Sequence, residues 1–269
     1  SPMKKLKPYL RPFGIGLGLL VIALALGFVE RTADRTPITD LQVRVVGAEG
    51  VHFIDEASVR KEVLDQGIAV MGSTIGEVDV TTIEDRLRGI PCVAKAEVYH
   101  TMDGVLHVKV EQREPIVRVF NSDGTGFYID KEGWTMPTEL AHPARVLVVT
   151  GALNEPGARD GVMDIFANDS LQRLYRSDDI HRLAGFIRKD PFWNALIDQV
   201  VVRTDGDFEL IPKVGAQRVI IGDGSALEQR FAKLKLFYAK GMPLTDWRRY
   251  DRIDLRFAEQ VVCTKRTTP

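Results

Sequence analysis

Asp254 and Arg256 stand two residues apart in the stretch IDLRFAEQVV, which runs from Ile253 to Val262. On a strand that spacing puts a carboxylate and a guanidinium on one face. The pair is the best candidate for the catalytic centre of a cell-envelope hydrolase, although a surface ion pair worth about 0–1 kcal/mol explains it more simply. Other catalytic signals are missing: the sequence holds no G-x-S-x-G, no H-E-x-x-H, no P-loop and no paired-cysteine motif. His52, His100, His107, His142 and His181 are scattered, and His107 falls on the polar face of a strand pattern, so no metal site has a spacing to rest on. Gly222-Asp223-Gly224 resembles a phosphate loop, but a lone G-x-G reads better as a turn feeding a cap at Ser225. The carboxylates of Asn121–Gly126 and Asp130–Glu132 hint at calcium without the spacing of an EF-hand loop, and a hairpin turn explains the first group. Asn168-Asp169-Ser170 is a formal glycosylation sequon. Cys92 and Cys263 fit no metal motif, and both are expected as buried free thiols. No cofactor, metal or small-molecule substrate is called for.

The chain has 269 residues, 45% hydrophobic and 27% charged, enough for two folded units with sizeable cores. A net charge of −1 offers no electrostatic footprint for nucleic acid, which is dropped as a partner. Phe13 to Val29 is uncharged and follows Lys4, Lys5, Lys7 and Arg11. That run is just long enough to span a hydrocarbon core of about 30 Å as a helix. Ala23 and Ala25 would suit signal cleavage, but Leu26–Val29 keep the run apolar beyond the cut, so a retained membrane helix is expected. The basic flank places residues before Phe13 in the cytoplasm and the rest outside. Gly14 and Gly18 form a G-x-x-x-G motif, which lets helices pack closely in a membrane.

The elements that must position these residues follow from periodicity. Leu41, Val43 and Val45 alternate with Gln42, Arg44 and Val46 as a strand. A helix capped by Asp55 carries Val59, Val63 and Leu64 on a face and stops at Gly67; a second opens on a Thr81–Glu84 capping box, carries Ile83 and Leu87, and ends at Gly89 and Pro91. Strands Val93–His100 and Val105–Glu111 flank a turn at Met102-Asp103-Gly104. The order is β-α-α-β-β, with two helices on one face of a three-stranded sheet. Beyond Glu114-Pro115 strands dominate: Ile116–Phe120, Phe127–Asp130, Val146–Thr150, Val200–Arg203, Phe208–Ile211 and Val219–Ile221, with turns at Ser122-Asp123-Gly124 and Asp205-Gly206. Two helices interrupt them. One is capped near Ser177 and buries Ile180, Leu183, Ala184 and Ile187; the other opens on a Ser225–Glu228 box and buries Leu227, Phe231, Leu234 and Tyr238. In the terminal stretch Ile253, Leu255 and Phe257 are expected to face the core, with Asp254 and Arg256 outside.

The stretches GIPCVAKAEVYHTMDGVLHVKVEQREPIVRVF (Gly89 to Phe120), FYIDKEGWTMP (Phe127 to Pro137) and RIDLRFAEQVV (Arg252 to Val262) resemble the FtsQ/DivIB family of bacterial cell-division proteins. The Gln112-Arg113-Glu114-Pro115 junction and Arg145-Val146-Leu147-Val148 resemble its Bacteroidota branch. The resemblance covers nearly the whole chain. It implies an α+β fold: a cytoplasmic tail (1–12), a single transmembrane helix (13–29), a linker (30–39), a POTRA domain (40–113), a mostly antiparallel β domain with flanking helices (114–266), and a short tail (267–269). It implies a non-enzymatic scaffold of the division septum that binds an FtsB/FtsL (DivIC-like) coiled-coil pair, with FtsK and FtsW/FtsI as further associates and recruitment partly through the POTRA domain. The partner would add a strand at the C-terminal edge, where Arg256, Phe257, Glu259, Gln260, Val262, Thr264 and Lys265 fall on the matching segment. The family often has Asn, Ser or Gly in the last hairpin where this chain has Ala258-Glu259, so a looser turn or a bulge is expected. A POTRA-bearing envelope transport or assembly factor is the alternative, and it would need a membrane barrel after the POTRA domain.

Overall fold

The computed structural model describes residues 20–21, 35–48, 50–65, 70–138, 143–158, 162–241 and 249–266. Apart from Leu20 and Val21, the expected membrane segment lies outside them, with Gly14, Gly18, the stop at Gly67 and the 267–269 tail. Among the described residues no helix is long and apolar enough to cross a membrane. The chain divides into two compact units: one holds β1 (Asp40–Val46) and Ile54–Glu111, the other Gly47–Phe53 and the chain from Gln112 onward.

In the first unit β1 alternates as its sequence requires, with Leu41 fully buried. Helix α1 (Glu56–Asp65) is capped by Asp55, whose carboxylate accepts the Ser58 N–H at 2.7 Å. Val59 and Val63 are buried, but Leu64 is 38% exposed, a correction to the expected face. One further residue rotates a side chain about 100° around the axis, out of the Val59–Val63 stripe. Helix α2 (Val80–Arg88) begins earlier than the Thr81–Glu84 box would allow. Asp79 caps it, accepting from the N–H groups of Thr81 and Thr82 at 3.0 and 3.2 Å, and Glu84 instead accepts the Val98 N–H at 2.8 Å. Ile83 and Leu87 are buried as their spacing predicts. Strands β2 (Val93–His100) and β3 (Val105–Gln112) are joined by a turn in which Gly104 has φ +86° and a Cβ would lie 2.4 Å from the Pro37 carbonyl oxygen, so only glycine fits. The sheet order is β1-β3-β2, with β1 parallel to β3. A parallel neighbour needs a crossover, which α1 and α2 supply. On the polar face His107 stacks on Tyr99 at 4.9 Å.

The second unit is built on a nine-stranded sheet. Its strands are β4 (Pro115–Phe120), β5 (Gly126–Asp130), β6 (Thr135–Pro137), β7 (Leu147–Gly151), β8 (Ile197–Val202), β9 (Phe208–Pro212), β10 (Arg218–Gly222), β11 (Tyr250–Asp254) and β12 (Val262–Lys265). Their spatial order is β12-β11-β10-β9-β8-β7-β4-β5-β6. β4/β7, β7/β8 and β10/β11 run parallel, and the remaining pairs are antiparallel. Val117, Val119, Phe127, Val149, Val200 and Leu210 share one core with Ile180, Leu183 and Ile187 of α4 (Ser177–Lys189) and Phe231 and Leu234 of α6 (Leu227–Leu236). Short helices α3 (Asp169–Leu174) and α5 (Pro191–Leu196) and strand β6 were not legible from periodicity, since each covers less than two turns or fewer than four residues.

Two caps differ from expectation because other side chains take the amides. Ser177 is the first residue of α4 and donates its hydroxyl to Glu155 at 2.6 Å, while the Glu155 carboxylate accepts the Arg176 N–H at 3.0 Å. At α6 the capping residue is Ala226, held at φ +48°, and the N–H and hydroxyl of Ser225 both go to Asp223, at 3.1 and 2.7 Å. Tyr238 lies past α6 in the π-helical stretch Phe237–Gly241, yet still packs on the core. Asp130 is fully buried, with Arg113 2.9 Å from one oxygen and the Glu132 and Trp134 amides on the other at 3.0 and 2.8 Å, so it organises its turn. The two cysteines are free thiols; Cys92 is buried, but Cys263 is only half-buried, short of the expected burial.

Candidate functional site

The C-terminal edge begins with β11, which runs parallel to β10 and antiparallel to β12. Ile253 and Leu255 are fully buried, as their alternation predicts. Asp254 and Phe257 reverse their expected places: Asp254 is 8% exposed and Phe257 is 48% exposed. Asp254 is still within the strand and is buried because Arg256 lies over it; for Phe257 the reason is the end of the strand. β11 stops at Asp254 and the chain leaves the ladder after Leu255, whose N–H still reaches the Ile220 carbonyl at 2.9 Å. Past that point the period of two no longer sets which side a residue faces. The connection from Leu255 to Val261 is longer than a two-residue turn, in keeping with the absence of Asn-Gly chemistry there.

Arg256 folds back over Asp254 and covers it. Its Nε lies 3.0 and 3.1 Å from the two carboxylate oxygens, Nη2 donates at 2.6 Å, and the Arg256 N–H donates at 3.1 Å. Its Nη1 donates to Asp207, in the β8–β9 turn, at 2.9 Å. Burial by itself would raise the Asp254 carboxyl pKa, but the hydrogen bonds and charge of Arg256, with Arg252 nearby, hold it below its ordinary value. The hydrogen bond to Asp254 pushes the Arg256 guanidinium up. From α6, Lys233 donates Nζ to the Leu255 carbonyl at 2.9 Å and the Phe257 carbonyl at 2.5 Å. Asp207 and Lys233 carry no signal in spacing, because they reach the edge from 49 and 24 residues away.

All seven residues singled out by resemblance, Arg256, Phe257, Glu259, Gln260, Val262, Thr264 and Lys265, are exposed. Val261 and Cys263 pack on the core between them, and burial raises the Cys263 thiol pKa. Among the described residues β12 pairs only with β11. Arg266 donates its N–H inward to the Arg249 carbonyl at 2.7 Å, so alternation turns the main-chain groups of Cys263 and Lys265 outward. The outer strands of the first unit are blunted. On β1 the Leu41 N–H goes to Asp40 at 2.9 Å and its carbonyl accepts Arg60 at 2.5 Å, while on β2 Glu84 takes the Val98 N–H at 2.8 Å.

This arrangement offers main-chain pairing and an exposed aromatic; its carboxylate and guanidinium neutralise each other. A hollow of about 850 Å³ is lined by Lys131, His181, Arg182 and Glu228 among others, and the His181 Nε2 is engaged with the Lys131 carbonyl at 3.1 Å. Among the described residues no three His, Cys, Asp or Glu side chains gather as a metal site.

The family description "FtsQ/DivIB, C-terminal related" matches residues 114–264, which hold β4 through most of β12. That of a POTRA-like domain matches residues 37–111. A cell division protein FtsQ of Rhodothermus marinus is 27% identical over 202 residues, 74% of this chain and 70% of that protein.

Proposed function

We propose that this chain, which belongs to the FtsQ/DivIB family of cell-division proteins, is a non-enzymatic scaffold of the bacterial division machinery that holds an FtsB/FtsL-type coiled-coil pair on its β12 edge. The open edge carries this reading: among the described residues β12 ends its sheet, with Val262 exposed on it and Phe257 exposed in the turn before it. A strand from the partner would pair with the outward groups of Cys263 and Lys265. Each such hydrogen bond contributes about 0.5–1.5 kcal/mol net, so a four-residue strand cannot by itself give tight or selective binding. Side chains must supply the rest, and an exposed aromatic held on a fixed backbone is the strongest candidate, worth about 2 kcal/mol or more when covered by a partner. The uncharged run Phe13–Val29 behind a basic flank supports a single membrane pass with the two units outside the cytoplasm. FtsK and FtsW/FtsI are proposed as further associates, recruited in part through the POTRA-like unit. An envelope transport or assembly factor would need a membrane barrel beyond that unit, and the residues there match the FtsQ/DivIB description instead.

The test is capture from detergent-solubilised membranes of the source organism, with the full chain as bait and the chain truncated after Ala258 beside it. Recovery of the coiled-coil pair by the full chain, and its loss on truncation, is the expected result. A folded full chain that recovers neither protein overturns the reading.

A further inference from the structure

We propose that Asp207, Lys233, Asp254 and Arg256 form a brace that fixes the 255–261 turn in the shape that presents Phe257 and β12, so that Arg256 positions the edge and does not itself bind the partner. The inference rests on the docking reading above, and it reassigns one of the residues that resemblance had placed in contact.

Every nitrogen of the Arg256 guanidinium already has a carboxylate: Nε and Nη2 lie 2.6–3.1 Å from Asp254, and Nη1 lies 2.9 Å from Asp207. Two of its five N–H groups, one on each Nη, are left over, but the guanidinium charge is already matched by two carboxylates, so a third brought by a partner would gain little. The main chain is held on both sides of Arg256, since Lys233 bridges the carbonyls before and after it. Asp207 is free for this role because its neighbour Asp205 takes Arg203, at 3.2 Å, and also orders the turn by accepting the Asp207 N–H at 3.2 Å. The backbone makes room as well: at Gly222, with φ +82°, a Cβ would lie 3.2 Å from Arg256 Cγ and 2.9 Å from Arg230 Nη1. Three segments therefore meet on one side chain, the β8–β9 turn, the end of β10 and the end of β11, while α6 holds the main chain around it. A turn ordered in the free protein need not be ordered at the moment of binding, which raises affinity without adding a contact.

The two roles for Arg256 predict opposite responses to Asp207→Ala. If Arg256 touches the partner, removing Asp207 frees it, and binding is unchanged or tighter. If it braces the turn, binding weakens. The full chain in detergent micelles is measured two ways: amide hydrogen exchange without partner, and affinity for the purified FtsB/FtsL-type pair encoded in the same genome. With Asp207→Ala we expect the amides of Phe257–Lys265 to exchange about tenfold faster while those of β4 and β5 hold, and the affinity to fall about tenfold. Asp207→Glu, which keeps the carboxylate, should recover part of both, whereas Phe257→Ala should lower affinity with exchange unchanged. Unaltered exchange in Asp207→Ala overturns the brace whatever the affinity does. Faster exchange with unaltered or improved affinity overturns the positioning role. If the unsubstituted chain fails to bind the pair while the exchange result holds, the docking reading falls and the brace stands as architecture alone.

Discussion

At one end of the nine-stranded sheet β6 is three residues long, Thr135 and Met136 are fully buried, and the strand stops at Pro137. A neighbouring segment closes its edge: the Thr135 N–H goes to the Met163 carbonyl at 2.8 Å, the Met163 N–H goes to the Thr135 hydroxyl at 2.9 Å, and the Ile165 N–H goes to the Gly133 carbonyl at 3.0 Å. At the other end β12 has, among the described residues, one neighbour, and Val262, Thr264 and Lys265 are exposed along it. Unpaired edges invite unwanted strand pairing, and folded proteins blunt them with proline, short strands or covering segments. The same sheet uses all three devices on β6. On β12, among the described residues, only the shortness and the charge of Lys265 remain, which leaves it the more open of the two edges.

The sharpest way to break this contrast is a pair of prolines on β12. Thr264→Pro removes an N–H that points toward β11 and should cost about 3 kcal/mol of stability in urea unfolding. Lys265→Pro removes an outward one, so it should leave the unfolding midpoint in place and cut partner affinity about tenfold. Equal destabilisation by both would mean that the outward assignment is wrong. Next in size, Phe257→Ala should weaken partner binding about 30-fold in calorimetry while stability stays within about 0.5 kcal/mol; a marked fall in melting temperature would make Phe257 a core residue after all. At the closed end Thr135→Val strands the Met163 amide and should cost about 1–2 kcal/mol with no change in partner affinity.

The smallest effect is a pH dependence at the open end. Asp254 is held below its ordinary pKa in the folded state, so its contribution is fully present above the unfolded-state value near 4 and is lost as pH falls below it. The stability difference between the unsubstituted chain and Asp254→Asn should therefore be constant from about pH 8 to 5 and narrow below about pH 4. A difference that grows on acidification would contradict the assignment.

Much of the architecture could be read directly, because half-buried strands and one-sided helices write their environment into the chain. The alternation in Val105–Gln112 and the face of Ile180, Leu183, Ala184 and Ile187 fall as burial requires. Caps were less legible, since several side chains compete for the same amides. Asp79 displaces Thr81, Asp223 holds Ser225, and Glu155 reaches α4 from a loop 21 residues upstream of Arg176. At the edge the alternation was extended two residues too far, which put Phe257 inside, and the covering of Asp254 by Arg256 leaves no mark in the period of the strand. Asp207 and Lys233 could not be found at all, because their meeting with Arg256 and its turn is made by the fold.

β12 follows every other strand of its sheet along the sequence, and the strand it leans on, β11, comes just before it. During synthesis the edge therefore does not exist until the rest of the sheet has emerged from the ribosome. A chain cut short or stalled before β12 has no such edge, so recruitment there would register only copies in which every strand of the sheet has been made.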